Sequence, residues 1–349
     1  MTDFNPNLSP LSIGSLPYTD PGQACRLMLE YCPQTPAWPQ LPKRAFGEDV
    51  YVQFSDGFPG LVRKEQRIYV DTSQELGPAL EQLYVAYLTH ELEGAAIAPQ
   101  DAAGLKSLAR ALQEWGRRPQ LVKGQVTGPI SWGLMVPDQE GRPILHDGML
   151  ADAVAKHLHL KAAWQERELR RLALKTLILV DEPHLSSLGP DFAPLGRERA
   201  LALLEEVLAG IEGFKGMHCC GDMDWSLPLE TSIDLLSLDA YDFGGSLLEY
   251  IEPVRAFLER GGWIAWGIVP ASTEVRRHSV NTLLPRLAEL VQTLAHEAEL
   301  PFHELLRASF VAPACGLGGL DIASAVRAMY LTAELSAAMR ARYDVDASR

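Results

Sequence analysis

Short runs of β-branched and aliphatic residues alternate with long stretches of helical periodicity from one end of this chain to the other, and nothing else in the sequence constrains its fold as tightly. The β-type runs fall at 11–13, 50–54, 121–126, 176–180, 213–217, 235–238, 263–268 and 309–311. Residues 149–173, 196–208, 247–260, 280–298 and 320–342 carry apolar side chains at three- and four-residue spacing, as a helix with one buried face requires. A strand followed by a helix and then another strand must return across the sheet, so strict alternation dictates parallel pairing. Roughly eight such units is the number that closes a (β/α)8 TIM barrel. The expectation is one barrel domain over residues 1–349, since no repeat, low-complexity tract or linker divides the chain. Loop insertions are expected near 55–70 and 137–147, each after a strand's carboxyl end.

Composition limits the partners. With 31 basic against 45 acidic residues and a net charge of -14, the surface does not suit nucleic acid or an anionic membrane. No apolar run is long enough to span a bilayer, and the first residues lack the basic and apolar regions of a signal peptide, so a cytoplasmic location is expected. Five cysteines in 349 residues make no disulfide framework. Cys25 and Cys32, in and just after the helical stretch 24–31, read as small buried hydrophobes.

The polar residues able to do chemistry follow the apolar part of each strand: Gly14-Ser15, Asp56, Thr127-Gly128-Pro129, Asp181-Glu182-Pro183, His218 with Cys220, Asp239, and Cys315. In a barrel those positions converge on one mouth. Extended backbone sends His218 and Cys220 to one side and Cys219 to the other, so the first two can chelate while Cys219 packs. Glycine-flanked Cys315 adds a third zinc donor at a separate strand end, leaving one position open. The alternative, a polar histidine beside buried thiols without metal, does not explain Cys315. Asp239 ends the neighbouring strand and is a candidate fourth ligand, in competition with Asp222, Asp224 and Asp242 and with a capping role.

Zinc that coordinates a thiol stabilises its anion and makes a nucleophile at neutral pH. Asp181 and Glu182 leave an apolar strand at the mouth, where carboxylates can hold an ammonium; a helix cap at Pro183 is the plainer reading. Asp56 is a second candidate for the amine, although Ser55-Asp56-Gly57 also has turn chemistry. Ile13-Gly14-Ser15 offers backbone groups and a hydroxyl for a carboxylate. Together these describe a pocket for a thiol amino acid.

Ile13-Gly14-Ser15, Thr127-Gly128-Pro129, Asp181-Glu182-Pro183, His218-x-Cys220 and Cys315-Gly316-Leu317 occur in that order over essentially the whole chain. In this the sequence resembles the catalytic, carboxyl-terminal barrel of cobalamin-independent methionine synthase, in its short barrel-only form. The wider group includes uroporphyrinogen decarboxylase and zinc-dependent corrinoid and coenzyme M methyltransferases. The resemblance implies that His218, Cys220 and Cys315 ligate zinc, with Asp239 where the family has a glutamate. It also implies that Ile13, Ser15 and Asp181 hold the amino-acid part of homocysteine, with Asp56 in place of a glutamate that grips the amine.

Two departures bear on the methyl donor. The long enzymes have a second barrel that contributes to folate binding, and they carry a histidine after the next-to-last strand, where this chain reads Gly267-Ile268-Val269-Pro270. The expected reaction is zinc-dependent transfer of a methyl group to homocysteine, giving methionine. The expected donor is methylcobalamin or a methylated corrinoid protein, whose cobalt leaves without an acid catalyst. Alternatives are methyl-tetrahydrofolate as donor, coenzyme M or another thiol as acceptor, and a non-catalytic zinc- or corrinoid-binding protein.

Overall fold

The structure, a computed structural model, describes residues 4–189 and 195–345. Six parallel strands form one sheet in chain order: β3 (Leu121–Thr127), β4 (Lys175–Asp181), β5 (Phe214–Cys219), β6 (Leu235–Leu238), β7 (Trp263–Val269) and β8 (Ser309–Pro313). These are the last six of the expected strands, with ends shifted by a residue or two. Four of them are buried along their whole length, β4 in all but its first residue and β5 in all but its second, as parallel strands covered on both faces must be.

The first two expected strands are where the structure departs from the eight-stranded barrel. Residues near 11–13 are extended but irregular, joined to β8 by a single bridge between Pro10 and Val311 and by Leu11 N–H donating to the Val311 carbonyl at 2.8 Å. The expected strand 50–54 is a set of turns. Its place beside β3 is taken by an earlier stretch around Ala37, which bridges Lys123, while Gln40 bridges Ser15. Pro36 and Pro39 in this stretch lack an N–H to donate, so no regular ladder forms and the sequence signal of a strand is erased. The two irregular segments thus fill the space between β8 and β3.

The insertion expected at 55–70 is partly ordered: β1 (Leu61–Lys64) and β2 (Arg67–Val70) pair as an antiparallel hairpin. Its base meets the 137–147 insertion, where the Val70 N–H donates to the Pro137 carbonyl at 2.9 Å. The expected helices are found as Gly148–Leu169, Arg197–Leu208, Ile251–Glu259, Val280–Glu297 and Ile322–Tyr343. The third is shorter than its pattern because Ser246–Tyr250 is a 3-10 turn. Among the described residues no helix is long and apolar enough to cross a membrane.

Two separate apolar regions result. The larger lies between the sheet and its helices and takes in Cys25, Cys32 and Cys219. The smaller fills the sheet's inner face, with Leu121, Leu177, Leu179, Phe214, Trp263 and Phe310. At the amino-terminal end of the strands Phe4 plugs this interior, with ring centroids 5.4 Å from Trp263 and 5.9 Å from Phe214.

Candidate metal centre and substrate pocket

Within β5, Phe214 and His218 share the inner face, and Cys220 follows two residues later on the same side. Cys219 faces the opposite way, into the layer beneath the helices. Cys315 arrives on the turn after β8. A register shift between Gly267 and Val269 lets that turn fold over β7, with Ala314 N–H donating to the Val269 carbonyl at 2.8 Å. Gly267 is required there, since a Cβ would lie 2.3 Å from the Leu238 carbonyl oxygen and 2.8 Å from Ala314 Cα.

These elements bring one donor atom each from His218, Cys220 and Cys315 within 4.8 Å of one another. The separation accommodates the edges of a tetrahedral zinc site, roughly 3.8 Å between thiolates. His218 is 2% exposed, and its Nδ1 meets Ser237 Oγ at 3.0 Å, whereas Nε2 is buried without a hydrogen-bond partner. With Nδ1–H donating to Ser237, Nε2 presents its lone pair towards the two sulfurs. The thiols interact as well: a hydrogen bond from Cys315 holds Cys220 below the ordinary thiol value, and the same bond, with burial, pushes Cys315 up. A buried imidazole nitrogen gathered with two thiols in this way is a donor set that fits zinc.

Asp239 is next to this group rather than part of it. Its Oδ1 accepts the Asp242 N–H at 2.9 Å, capping the turn Ala240–Phe243. Burial raises its pKa to about 6, and it acts through space on Cys220. Asp222 and Asp224 lie with Tyr250 around a separate cleft of about 310 Å³.

Asp181 is brought to the mouth. It pairs in register with Thr127 on one side and His218 on the other. Burial raises its pKa to about 6, against the opposing pull of Lys123 and His218, and its Oδ1 is buried with no partner. Glu182 is turned elsewhere: Ile130 and Ser131 N–H donate to its two oxygens at 2.9 Å and 2.8 Å. It anchors the helix Pro129–Met135 instead of facing a substrate ammonium. Asp56 is not brought to the site either. Its carboxylate is 44% exposed, 3.9 Å from Arg63, on a turn outside the sheet.

Ile13 and Ser15 reach the rim from the irregular first segment. The Ile13 carbonyl accepts from Lys123 Nζ, and Ser15 holds the turn that carries Cys315, accepting Leu317 N–H at its carbonyl (3.0 Å) and Gly318 N–H at Oγ (3.2 Å). Sequence reasoning overlooked Lys123, whose only signal was one charged residue inside an apolar strand. It also overlooked Ser237, a lone hydroxyl in Leu235–Leu238, and Tyr51. Burial raises the Tyr51 pKa, with Asp49, Glu182, Cys220 and Asp181 adding to it. Tyr51 and the hairpin together line a cleft of about 970 Å³.

No family model matches this sequence. No curated protein matches it either. Solved structures resemble its fold. A methyltransferase from Methanosarcina mazei superposes with a TM-score of 0.57 at 13% identity, over 90% of this chain and 86% of that one. A B12-independent methionine synthase from Shewanella sp. W3-18-1, in complex with selenomethionine, superposes with a TM-score of 0.56 at 16% identity, over 98% and 100% of the two chains. At such identities the likeness establishes the fold alone.

Proposed function

We propose that this chain is a zinc-dependent methyltransferase that methylates the thiol of homocysteine to give methionine, with methylcobalamin or a methylated corrinoid protein as donor. The observation that carries this reading is the group His218, Cys220 and Cys315 at the carboxyl ends of the strands, beside the unpartnered Asp181 oxygen. Zinc at that group would stabilise the substrate's sulfur as an anion at neutral pH. The chain's own residues do the rest. Ser237 fixes the His218 ring. Asp181 offers its free oxygen to the ammonium, and the Ile13–Ser15 segment faces the carboxylate.

Held in this way, the sulfur attacks the methyl carbon in line. The sulfur–carbon bond forms as the carbon–cobalt bond breaks, the electron pair leaves with cobalt, and the thiol proton goes to solvent. The two fold relatives, a methyltransferase and a methionine synthase, are consistent with this chemistry. The absence of a histidine in Gly267-Ile268-Val269-Pro270 favours a corrinoid over methyl-folate, whose nitrogen needs protonation to leave.

The deciding experiment offers zinc-loaded protein homocysteine with methylcobalamin or methyl-tetrahydrofolate in separate reactions. Methionine is expected from the corrinoid, and transfer that survives complete chelation of metal would sink the mechanism. A thiol without an amine, such as coenzyme M, is the competing acceptor. Asp181→Ala should raise KM for homocysteine by roughly 10-fold or more and leave an amine-free thiol indifferent.

A further inference from the structure

Beneath the mouth the sheet encloses a charge that the zinc chemistry does not use. Lys123 stands in the middle of β3 on the inner face, between Leu121 and Gln125, and none of its surface is exposed. An ammonium so deeply buried is costly unless a carboxylate neutralises it. Its acceptors here are both neutral: the Ile13 carbonyl at 2.5 Å and Gln125 Oε1 at 3.0 Å. Asp181 is the carboxylate that acts on it through space, yet among the described residues no ion pair joins the two. Asp181 Oδ1 remains buried and unpartnered. A cation and an anion therefore lie on one inner face without an ion pair between them, the cation held by neutral acceptors under the Ile13-Gly14-Ser15 turn and the anion left with an open oxygen.

The connection from Lys123 to the mouth is specific. Its two acceptors flank the Ile13-Gly14-Ser15 turn: one is the Ile13 carbonyl, and the other, Gln125, lies so close to Gly14 that a Cβ there would be 2.5 Å from Oε1. Gly14 has φ +135°, a conformation that only glycine adopts easily. The turn is thus held from below by Lys123 and Gln125, and from above by Ser15 on the Cys315 turn.

We propose that Lys123 is a positioning residue for substrate choice: acting through the Ile13-Gly14-Ser15 turn, it forms with Asp181 the two poles that select an α-amino-acid thiol over a thiol of single charge. This rests on the zinc–thiol reading of the site. A lysine that merely fills the interior would affect all thiols alike.

Calorimetric titration of the zinc-loaded protein with homocysteine, homocysteine methyl ester and 4-mercaptobutanoate separates the cases. The wild-type protein should bind homocysteine about 10-fold or more tightly than either analogue, each of which lacks one charge. Lys123→Met should weaken homocysteine and 4-mercaptobutanoate by about 10-fold and change the ester by less than about two-fold. Asp181→Asn should weaken homocysteine and the ester and spare 4-mercaptobutanoate. Equal losses for all three thiols in Lys123→Met overturn the proposal. So does equal binding of homocysteine and its ester by the wild-type protein, a comparison that needs no variant to fold. Binding that ignores charge removes this inference and the Asp181–ammonium contact and leaves thiol activation by zinc standing, whereas no binding of any thiol with zinc retained removes the thiol-activation reading as well.

Discussion

The two ends of the sheet are made from the same strands and share almost nothing chemically. On β5 the inner face carries Phe214 at one end and His218 four residues later; on β4 it runs from Leu177 to Asp181. At the amino-terminal end Phe4, Phe214, Trp263 and Phe310 pack ring against ring. At the carboxyl end buried polar atoms go unpartnered, among them His218 Nε2 and Asp181 Oδ1. Buried aromatic area stabilises a fold, whereas unsatisfied buried polar groups destabilise it. On the proposed function, the contrast puts stability at one end and ligand binding at the other, within about four residues of strand.

The division predicts that damage at each end stays at that end. Cys220→Ser should remove zinc and lower methyl transfer roughly 10³-fold, while the thermal midpoint of metal-free protein moves by less than about 2 °C. Metal analysis alongside a melting curve tests both halves. Phe310→Ala should cost about 3–5 kcal/mol in urea unfolding, because its ring is fully buried, yet the folded variant should bind zinc with unchanged affinity. Loss of zinc at temperatures where that variant remains folded would break the separation.

Smaller effects sharpen it. Ser237→Ala leaves His218 free to rotate and should weaken zinc about 10–100-fold in a competition with a chromophoric chelator. Glu182 provides a pH signature, since burial raises its pKa to about 7 from an ordinary 4.5. The folded state favours the protonated acid, so this contribution to stability is complete below pH 4.5 and is lost as pH rises through about 7. Relative to Glu182→Gln, metal-free wild type should lose about 1–3 kcal/mol over that interval. Parallel stability profiles for the two proteins would show that Glu182 does not titrate as its burial requires.

What the sequence disclosed follows the same division. The six regular strands were legible because each is a short, mostly apolar run between helical stretches, and alternation within 218–220 assigned His218 and Cys220 to the interior and Cys219 to packing. The second position beside β3 was illegible because prolines interrupt it and 50–54 imitates a strand. Asp56 and Glu182 have the right chemistry for an ammonium, but exposure and a helix terminus claim them, and neither is written in residue type. Lys123 was hidden for the opposite reason: a charge in the middle of a strand looks like a break in the pattern until the interior that receives it is known.

The bond from Gly318 N–H to Ser15 Oγ joins residues 303 positions apart. Contacts of such separation form late when a chain folds, because so much intervening backbone must be ordered first. A ribosome that has delivered His218 and Cys220 has still to deliver Cys315, and the turn bearing it then has to find the first segment. Under the proposed function, zinc capture would therefore be a timing mark for folding: stopped-flow refolding with a zinc indicator should record uptake in the slowest phase, after the helices have gained their dichroism.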